Sequence, residues 1–285
     1  MEPYIDGRRK PYGGNQMSDK LIMARTPEEA VRAGAEGCSF LAGGTEALRL
    51  GSPVDAEAYV SVRRTEAMRS VCSDAGIVTI GAACTFQELI DNSQVPAYLK
   101  EALHFMASRT RRNMATVGGN IAACRDDSFL LPTLIAASAV LELMDSDGRC
   151  GKIFAEDYVL NKEKYEGRLI TSVTVPAEGI AIRSARSANT AQSHARLTAA
   201  MSLDEGRYKI ACAVKNTGLF VLDGIAEALG GSDLSEDEIV SLVREDGSID
   251  FEDDLLYGSA DYRRYLLGIT IALMYAGLEE KGGAA

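Results

Sequence analysis

The chain has 285 residues, 46% hydrophobic and 25% charged, an ordinary globular composition with length enough for two domains. Its 41 acidic against 30 basic side chains give a formal charge of -11, which argues against a nucleic-acid backbone as the main partner. No apolar run approaches the roughly 20 residues that span a bilayer, so no membrane partner and a cytoplasmic location are expected.

Residues 1–17 are rich in Gly, Pro and charge and read as a leader or flexible arm outside the fold. Thr26-Pro27-Glu28-Glu29 is a capping box with Pro at the first helical position, so a helix is predicted from Pro27 towards Gly37. A strand over Cys38 to Leu41 ends in Ala42-Gly43-Gly44-Thr45, and Ala58 to Val62 and Ile77 to Ile80 are further β-rich runs. Thr85-Phe86-Gln87-Glu88 repeats the capping box, and Pro96 opens a helix whose Leu99, Leu103 and Met106 share one face. Next comes an apparent loop dense in charge and glycine, with Arg109, Arg111 and Arg112 ahead of Thr116-Val117-Gly118-Gly119-Asn120. Ser128 can cap a helix containing Pro132 to Ala137, Val140 to Met144 reads as a strand closed by Asp147-Gly148, and Arg168 to Val175 alternates cleanly up to Pro176. That proline is taken as the domain boundary. Beyond it, Ala195 to Leu203 and Arg207 to Val214 form a predicted hairpin, followed by helices at Asp223–Leu229, Ser235–Arg244 and Ser259–Glu279.

The six cysteines lie no closer than 12 residues apart, which fits neither a disulfide framework nor a Cys-x-x-Cys metal site. His104 and His194 are the only two histidines, too few for a histidine-rich metal site, and both read as incidental. Two glycine pairs carry more. Glycine permits positive φ and lets backbone N–H groups approach a phosphate, and the neighbouring Thr45 and Thr116 add hydroxyl donors. Gly43-Gly44 and Gly118-Gly119 are therefore expected to grip one pyrophosphate from two sides. Neither is a Gly-x-Gly-x-x-Gly or P-loop pattern.

These motifs, in combination and order, resemble the FAD-binding (medium) subunits of the molybdenum hydroxylases, the xanthine dehydrogenase and carbon monoxide dehydrogenase flavoproteins. The resemblance runs from Leu21 to Gly282 and rests on Thr26 to Ala30, Leu41 to Glu46, Ile80-Gly81-Ala82, Arg112 to Ala122, and Gly258 to Tyr265. Within the family, Val95 to Pro132 is most similar to the selenate reductase or purine-dehydrogenase-associated FAD subunits.

The resemblance implies an α+β fold: a two-lobed, vanillyl-alcohol-oxidase-type (PCMH-like) FAD-binding domain over residues 18–176, then a small sheet-plus-helices domain over 177–285 like that of the carbon monoxide dehydrogenase flavoproteins. It implies that Leu41, Ala42, Gly43, Gly44, Thr45 and Glu46 hold one side of the FAD pyrophosphate and that Thr116, Val117, Gly118, Gly119 and Asn120 hold the other side and the ribityl region. It brings Met106 to the flavin, Ile170 to the adenine or ring edge, and Arg183 near the cofactor. Where the family usually has an Asp three residues before Pro132, this chain has Phe129, so that either the adjacent Asp127 and Ser128 take over the polar contact or the contact is absent. The implied role is an electron-transfer oxidoreductase subunit without catalytic side chains or metal ligands of its own. It would work beside a small [2Fe-2S] subunit and a large molybdopterin subunit, with NAD or another acceptor. A flavin-free scaffold subunit and a stand-alone FAD oxidase are the competing readings.

Overall fold

The computed structural model describes residues 20–49, 52, 54 and 56–282; the leader reading of residues 1–17 lies outside them. A first lobe consists of β1 (Lys20–Met23), α1 (Pro27–Ala35), β2 (Ser39–Leu41) and β3 (Ala58–Ser61). Its strands form a parallel sheet in the order β1-β3-β2. The cap of α1 is half of the expected box. Thr26 Oγ1 accepts from Glu29 N–H, but the Glu29 carboxylate reaches back to the amide of Arg25.

The second lobe follows. It contains β4 (Val71–Asp74), β5 (Ile77–Gly81), α2 (Phe86–Asp91), α3 (Ala97–His104), α4 (Arg109–Arg112), α5 (Val117–Ala123), α6 (Leu131–Ala136), β6 (Val140–Met144), β7 (Cys150–Phe154), α7 (Ala155–Leu160) and β8 (Leu169–Pro176). The strands make an antiparallel sheet in the order β4-β5-β8-β6-β7. At Thr85 the capping box is complete. Ser128 Oγ accepts from the amides of Leu130 and Leu131 and so closes the start of α6 from outside the helix.

The chain then forms β9 (Ala181–Ser187), β10 (Leu197–Asp204), β11 (Arg207–Val214) and β12 (Gly218–Val221), an antiparallel sheet in the order β12-β11-β10-β9. Glu205 and Gly206, both at positive φ, turn the β10–β11 hairpin. Three helices complete the chain: α8 (Asp223–Gly231), α9 (Glu236–Glu245) and α10 (Ala260–Gly282).

Side-chain alternation gives this last sheet two buried faces. Leu197, Ala199, Met201, Ile210 and Cys212 pack with Ile225, Leu229, Leu267 and Ile271 of the helices into one core. The other face carries Thr198, Ala200, Ala211 and Ala213, small residues that let α6 approach closely. All six residues of α6 are therefore buried, which explains why it shows no polar face in the sequence. Thr133 Oγ1 meets Ser184 Oγ at 2.8 Å across this contact, and Tyr98 donates to the Pro176 carbonyl at 2.6 Å. α6 thus joins the small-residue face of the last sheet to the core of the second lobe, and the sheet separates that core from the one under the last helices.

The architecture is the expected α+β one. What was not predicted are β1, β4, β7, β9, β12 and α7, and the stretch read as a loop forms two helices, α4 over Arg109–Arg112 and α5 from Val117. β4 and β7 are mostly exposed strands with no apolar alternation to signal them. α5 places two glycines in its first turn, against their low helix propensity: Ala82 crowds the position a Cβ on Gly118 would take, and the Thr116 hydroxyl crowds that of Gly119.

Leu141, fully buried in the central sheet, is expected to cost about 2–5 kcal/mol when replaced by alanine. Leu255→Ala, at a fully exposed position, should change stability by less than about 0.5 kcal/mol. Urea unfolding of both variants checks the assignment of the core.

Candidate functional site

β2 delivers the chain into the loop Ala42–Glu46, where Gly44 takes φ +72. The site is created by the approach of this loop to the segment entering α5. A Cβ on Gly43 would stand 1.7 Å from the Met114 carbonyl oxygen, so only glycine fits. On the other side, a Cβ on Gly118 would lie 2.6 Å from the Ala82 Cβ, and one on Gly119 would lie 2.8 Å from Thr116 Oγ1 and 3.7 Å from the Ala42 Cβ. The loop thus packs against the entry of α5 at Gly43 and against Gly119 through Ala42, while Gly118 packs on Ala82.

The roles of the two glycine pairs are unequal, contrary to the symmetrical grip expected from the sequence. Val117 N–H donates to the Cys84 carbonyl at 3.1 Å, Gly118 N–H to the Ala82 carbonyl at 2.8 Å, and Asn120 N–H to the Thr116 carbonyl at 3.0 Å. Gly119 N–H donates to Thr116 Oγ1 at 3.2 Å. The first turn of α5 therefore presents a bare surface and no free donors. Among the described residues, the amides of Gly43, Gly44, Thr45 and Glu46 have no protein acceptor. Four successive N–H groups are thus left unpaired.

Two clefts meet there. The larger, about 460 Å³, lies between Thr45 and Glu46, residues 105–108, Gly119 and Asn120 of α5, Asp127 to Phe129, and residues 191–194. The smaller, about 180 Å³, runs behind the loop between Leu41, Gly118, Ala122, Leu169 and Ile170. Thr45, Glu46, Gly119 and Ala123 line both.

A charged network braces the larger cleft. The Asp127 side chain is only 2% exposed and receives Arg125 Nε and Nη2 at 2.6 and 3.0 Å, while Arg125 Nη1 reaches both oxygens of Glu46 at 2.9 and 3.1 Å. Glu46 also pairs with Arg49 at 2.9 Å. His194 Nδ1 lies 2.6 Å from Asp127 Oδ2. Next to it, Asp126 accepts from Lys215 Nζ at 2.6 Å and from the Asn216 amide at 2.9 Å, which ties this segment to the last sheet. Burial acts to raise the Asp127 pKa, but the hydrogen bonds and charge of Arg125, helped by Lys215 and His194, outweigh it and hold the carboxyl below its usual value. Burial pushes the Cys84 thiol up to about 11, so it is inert at neutral pH.

Of the residues singled out in the sequence, Leu41 to Glu46, Thr116, Gly118, Gly119 and Ile170 line the smaller cleft, and Met106, Asn120, Asp127 and Ser128 line the larger. Val117 points into the hydrophobic core. Arg183 lines neither cleft, and its Nε and Nη2 donate to the Gly277 carbonyl of α10 at 3.2 and 2.9 Å. The arginine cluster also divides. Arg112 is buried and spent on Gln87 Oε1 and the Met106 and Ala107 carbonyls, whereas Arg111 lines the larger cleft. Phe129 lies under the Arg186 guanidinium, 5.1 Å from ring centroid to Cζ. Arg125 and His194 were missed. Arg125 could have been suspected from its position two residues before Asp127; no local signal marks His194.

An α+β protein whose elongated pair of clefts is joined by a row of free amides belongs to the class that binds extended, phosphate-bearing cofactors. Residues 16–178 match the model of the family described as the FAD binding domain in molybdopterin dehydrogenase, and the chain belongs to that family. It carries an FAD-binding domain. It is 30% identical over 249 residues to the uncharacterized protein YgfM of Escherichia coli (strain K12), covering 86% of this chain and 90% of that one. It is also 30% identical over 213 residues to the xanthine dehydrogenase of Blastobotrys adeninivorans, covering 68% of this chain but 15% of that much longer protein. Among solved structures, quinoline 2-oxidoreductase from Pseudomonas putida 86 superposes with a TM-score of 0.80 at 18% identity. A carbon monoxide dehydrogenase from Hydrogenophaga pseudoflava gives 0.80 at 20% identity. In both cases 92% of this chain and 97% of that chain are covered, a likeness of fold.

Because the Asp127 pKa is lowered on folding, the native state binds fewer protons there than the unfolded chain. The stabilisation is complete above the ordinary carboxylate range, about pH 4, and is lost as pH falls through the lowered native value. Asp127→Asn should cost about 1–3 kcal/mol at neutral pH and flatten the acid limb of the stability curve, as measured by denaturant titration at a series of pH values.

Proposed function

We propose that the chain is the flavoprotein subunit of a molybdopterin-dependent dehydrogenase. It stands between a one-electron donor, the cluster of a small [2Fe-2S] subunit, and an acceptor of electron pairs, NAD or another oxidant. A large molybdopterin subunit carries substrate oxidation. The observation that supports this most directly is the row of unpaired amides at Gly43 to Glu46, at the junction of two clefts. FAD has a pyrophosphate with a ring system on each side, which suits this layout; FMN, with one terminal phosphate, would fill one arm.

In this reading the amides of Gly43, Gly44, Thr45 and Glu46 hold the pyrophosphate, and Gly119 supplies a side-chain-free wall across from them. Leu41 and Ile170 enclose one end of the cofactor in the smaller, more apolar cleft. Met106, Asn120, Asp127 and Ser128 surround the other end in the larger one. Arg125 holds Glu46 and Asp127 in place rather than contacting phosphate, since its three nitrogens are already committed. FAD, when bound, supplies the conversion between one-electron and two-electron transfer. The scattered cysteines fit a reading in which the cluster ligands belong to another chain.

Acid release followed by chromatography should yield FAD, not FMN, in stoichiometric amount. Gly119→Val, whose branched side chain would enter the space between the two loops, should weaken retention about tenfold or more, ~1.4 kcal/mol, with the fold kept as judged by circular dichroism. Failure to recover any flavin after reconstitution would favour the flavin-free scaffold reading. Turnover of a hydroxylase substrate by this chain alone, with an artificial acceptor, would favour the stand-alone oxidase.

A further inference from the structure

His194 has the best-defined arrangement of any group in the larger cleft that the cofactor reading leaves without a task. Its Nδ1 sits 2.6 Å from Asp127 Oδ2. Asp127 is nearly sealed from solvent and doubly bonded by Arg125, whose positive charge keeps it a carboxylate. A carboxylate can only accept, so Nδ1 carries the hydrogen and donates it. The neutral ring is thereby fixed in the tautomer that leaves Nε2 with its lone pair. Among the described residues Nε2 has no protein partner, and the side chain is 62% exposed on the wall of the larger cleft. The backbone is fixed as well. Arg186 Nη2 donates to the Ser193 carbonyl, Ser193 N–H donates to Thr190 Oγ1, and the next residue, Ala195, is wholly buried.

We propose that His194, oriented by Asp127, is the proton-exchanging group of the flavin cleft, with Nε2 carrying protons between water and the cofactor ring. The inference rests on the reading of the chain as the flavoprotein subunit. Electrons that arrive singly from an iron–sulfur cluster bring no protons. Storing a pair in a form that can leave as hydride requires two electrons and one proton. After taking a proton from solvent at its exposed Nε2, the ring would pass that proton to the cofactor as the pair is completed and return to the neutral form with Nδ1 still donating to Asp127; FAD, when bound, would supply the hydride chemistry. The balance is one proton per electron pair, drawn from solvent through one side chain.

The charged groups around the ring are Asp127 in contact, Arg125 and Lys215 behind that carboxylate, and Arg186 at the Ser193 carbonyl. Glu46, Arg49 and Arg111 line the same cleft. Opposite charges are thus present on both sides of the ring, and the carboxylate is the one that touches it.

The test uses the purified, FAD-loaded chain reduced in a stopped-flow instrument by methyl viologen radical, a donor of single electrons. In the wild type, the formation of two-electron-reduced flavin should show a solvent deuterium isotope effect. In His194→Gln it should be about 100-fold slower and lose that isotope effect, with flavin content and spectrum unchanged. Imidazole added to His194→Ala should restore part of the rate, a recovery that a purely structural role would not give. His194→Gln with full FAD and an unaltered rate overturns the proposal. So does a ¹⁵N spectrum of the wild type placing the hydrogen of the neutral ring on Nε2, a measurement that needs no variant. Wild-type protein that retains no FAD overturns the flavoprotein reading and this inference together, whereas retained FAD with an indifferent His194 overturns this inference alone.

Discussion

The contact between Gly43 and the carbonyl of Met114 is the constraint around which the site is organised. The 1.7 Å that a Cβ would leave is far inside any tolerable approach, and it brings a loop from the first sheet against the entry of a helix in the second lobe. The loop amides have no backbone partner, and the loop lines the clefts where they meet, Gly43 and Gly44 in the smaller and Thr45 and Glu46 in both. α5 can lie this close because Gly118 and Gly119 put no side chain into the seam. Its own amides are satisfied internally and by Ala82 and Cys84, as expected for polar groups at a packed interface. Gly43 thus both makes the tight contact and carries an unpaired amide, whereas Gly118 and Gly119 serve the close packing alone.

The charged network adds a second level of order. Arg125 lies between two carboxylates, Glu46 on the amide loop and the sealed Asp127, so the loop is held from the side opposite the glycine contact. Asp126 and Asp127, adjacent in sequence, then bind different parts of the last sheet region, Lys215 with Asn216 and His194 respectively. A surface ion pair would contribute little. Here the depth of Asp127 makes removal of one partner costly for the other, and three segments distant in sequence are kept in register around one cleft.

Much of this was legible in the sequence where local chemistry decides local structure. Thr85 with Glu88, Ser235 with Glu238, the Glu205-Gly206 turn and the alternating strand before Pro176 all carry their structure in a few residues, and the described elements follow them closely. The glycine pairs also announced a close approach. Their division of labour was not legible, because whether an amide is free depends on which carbonyl the fold brings to it, and Cys84 and Ala82 lie more than thirty positions before α5. Arg183 illustrates the converse. Its position by motif suggested a cofactor contact, but the carbonyl of Gly277, almost at the other end of the chain, claims its guanidinium.

His194 was dismissed on a count of histidines, and the reason is instructive. A ring nitrogen acquires a defined role from its partner, and the partner, Asp127, is 67 residues away. The segment from β9 to β10 that carries His194 is placed by the docking of the last sheet: α6 lies against its small-residue face, and Asp127 and Ser128 lie in the segment that leads into α6. The same packing therefore sets the carboxylate and the imidazole opposite each other. A ligand in the larger cleft would touch the amide loop, the start of α6 and the β9–β10 segment at once. Binding it would stabilise the docking of the last sheet on the first two lobes as well as the loop itself, since any group that binds only the assembled state shifts the folding equilibrium toward it.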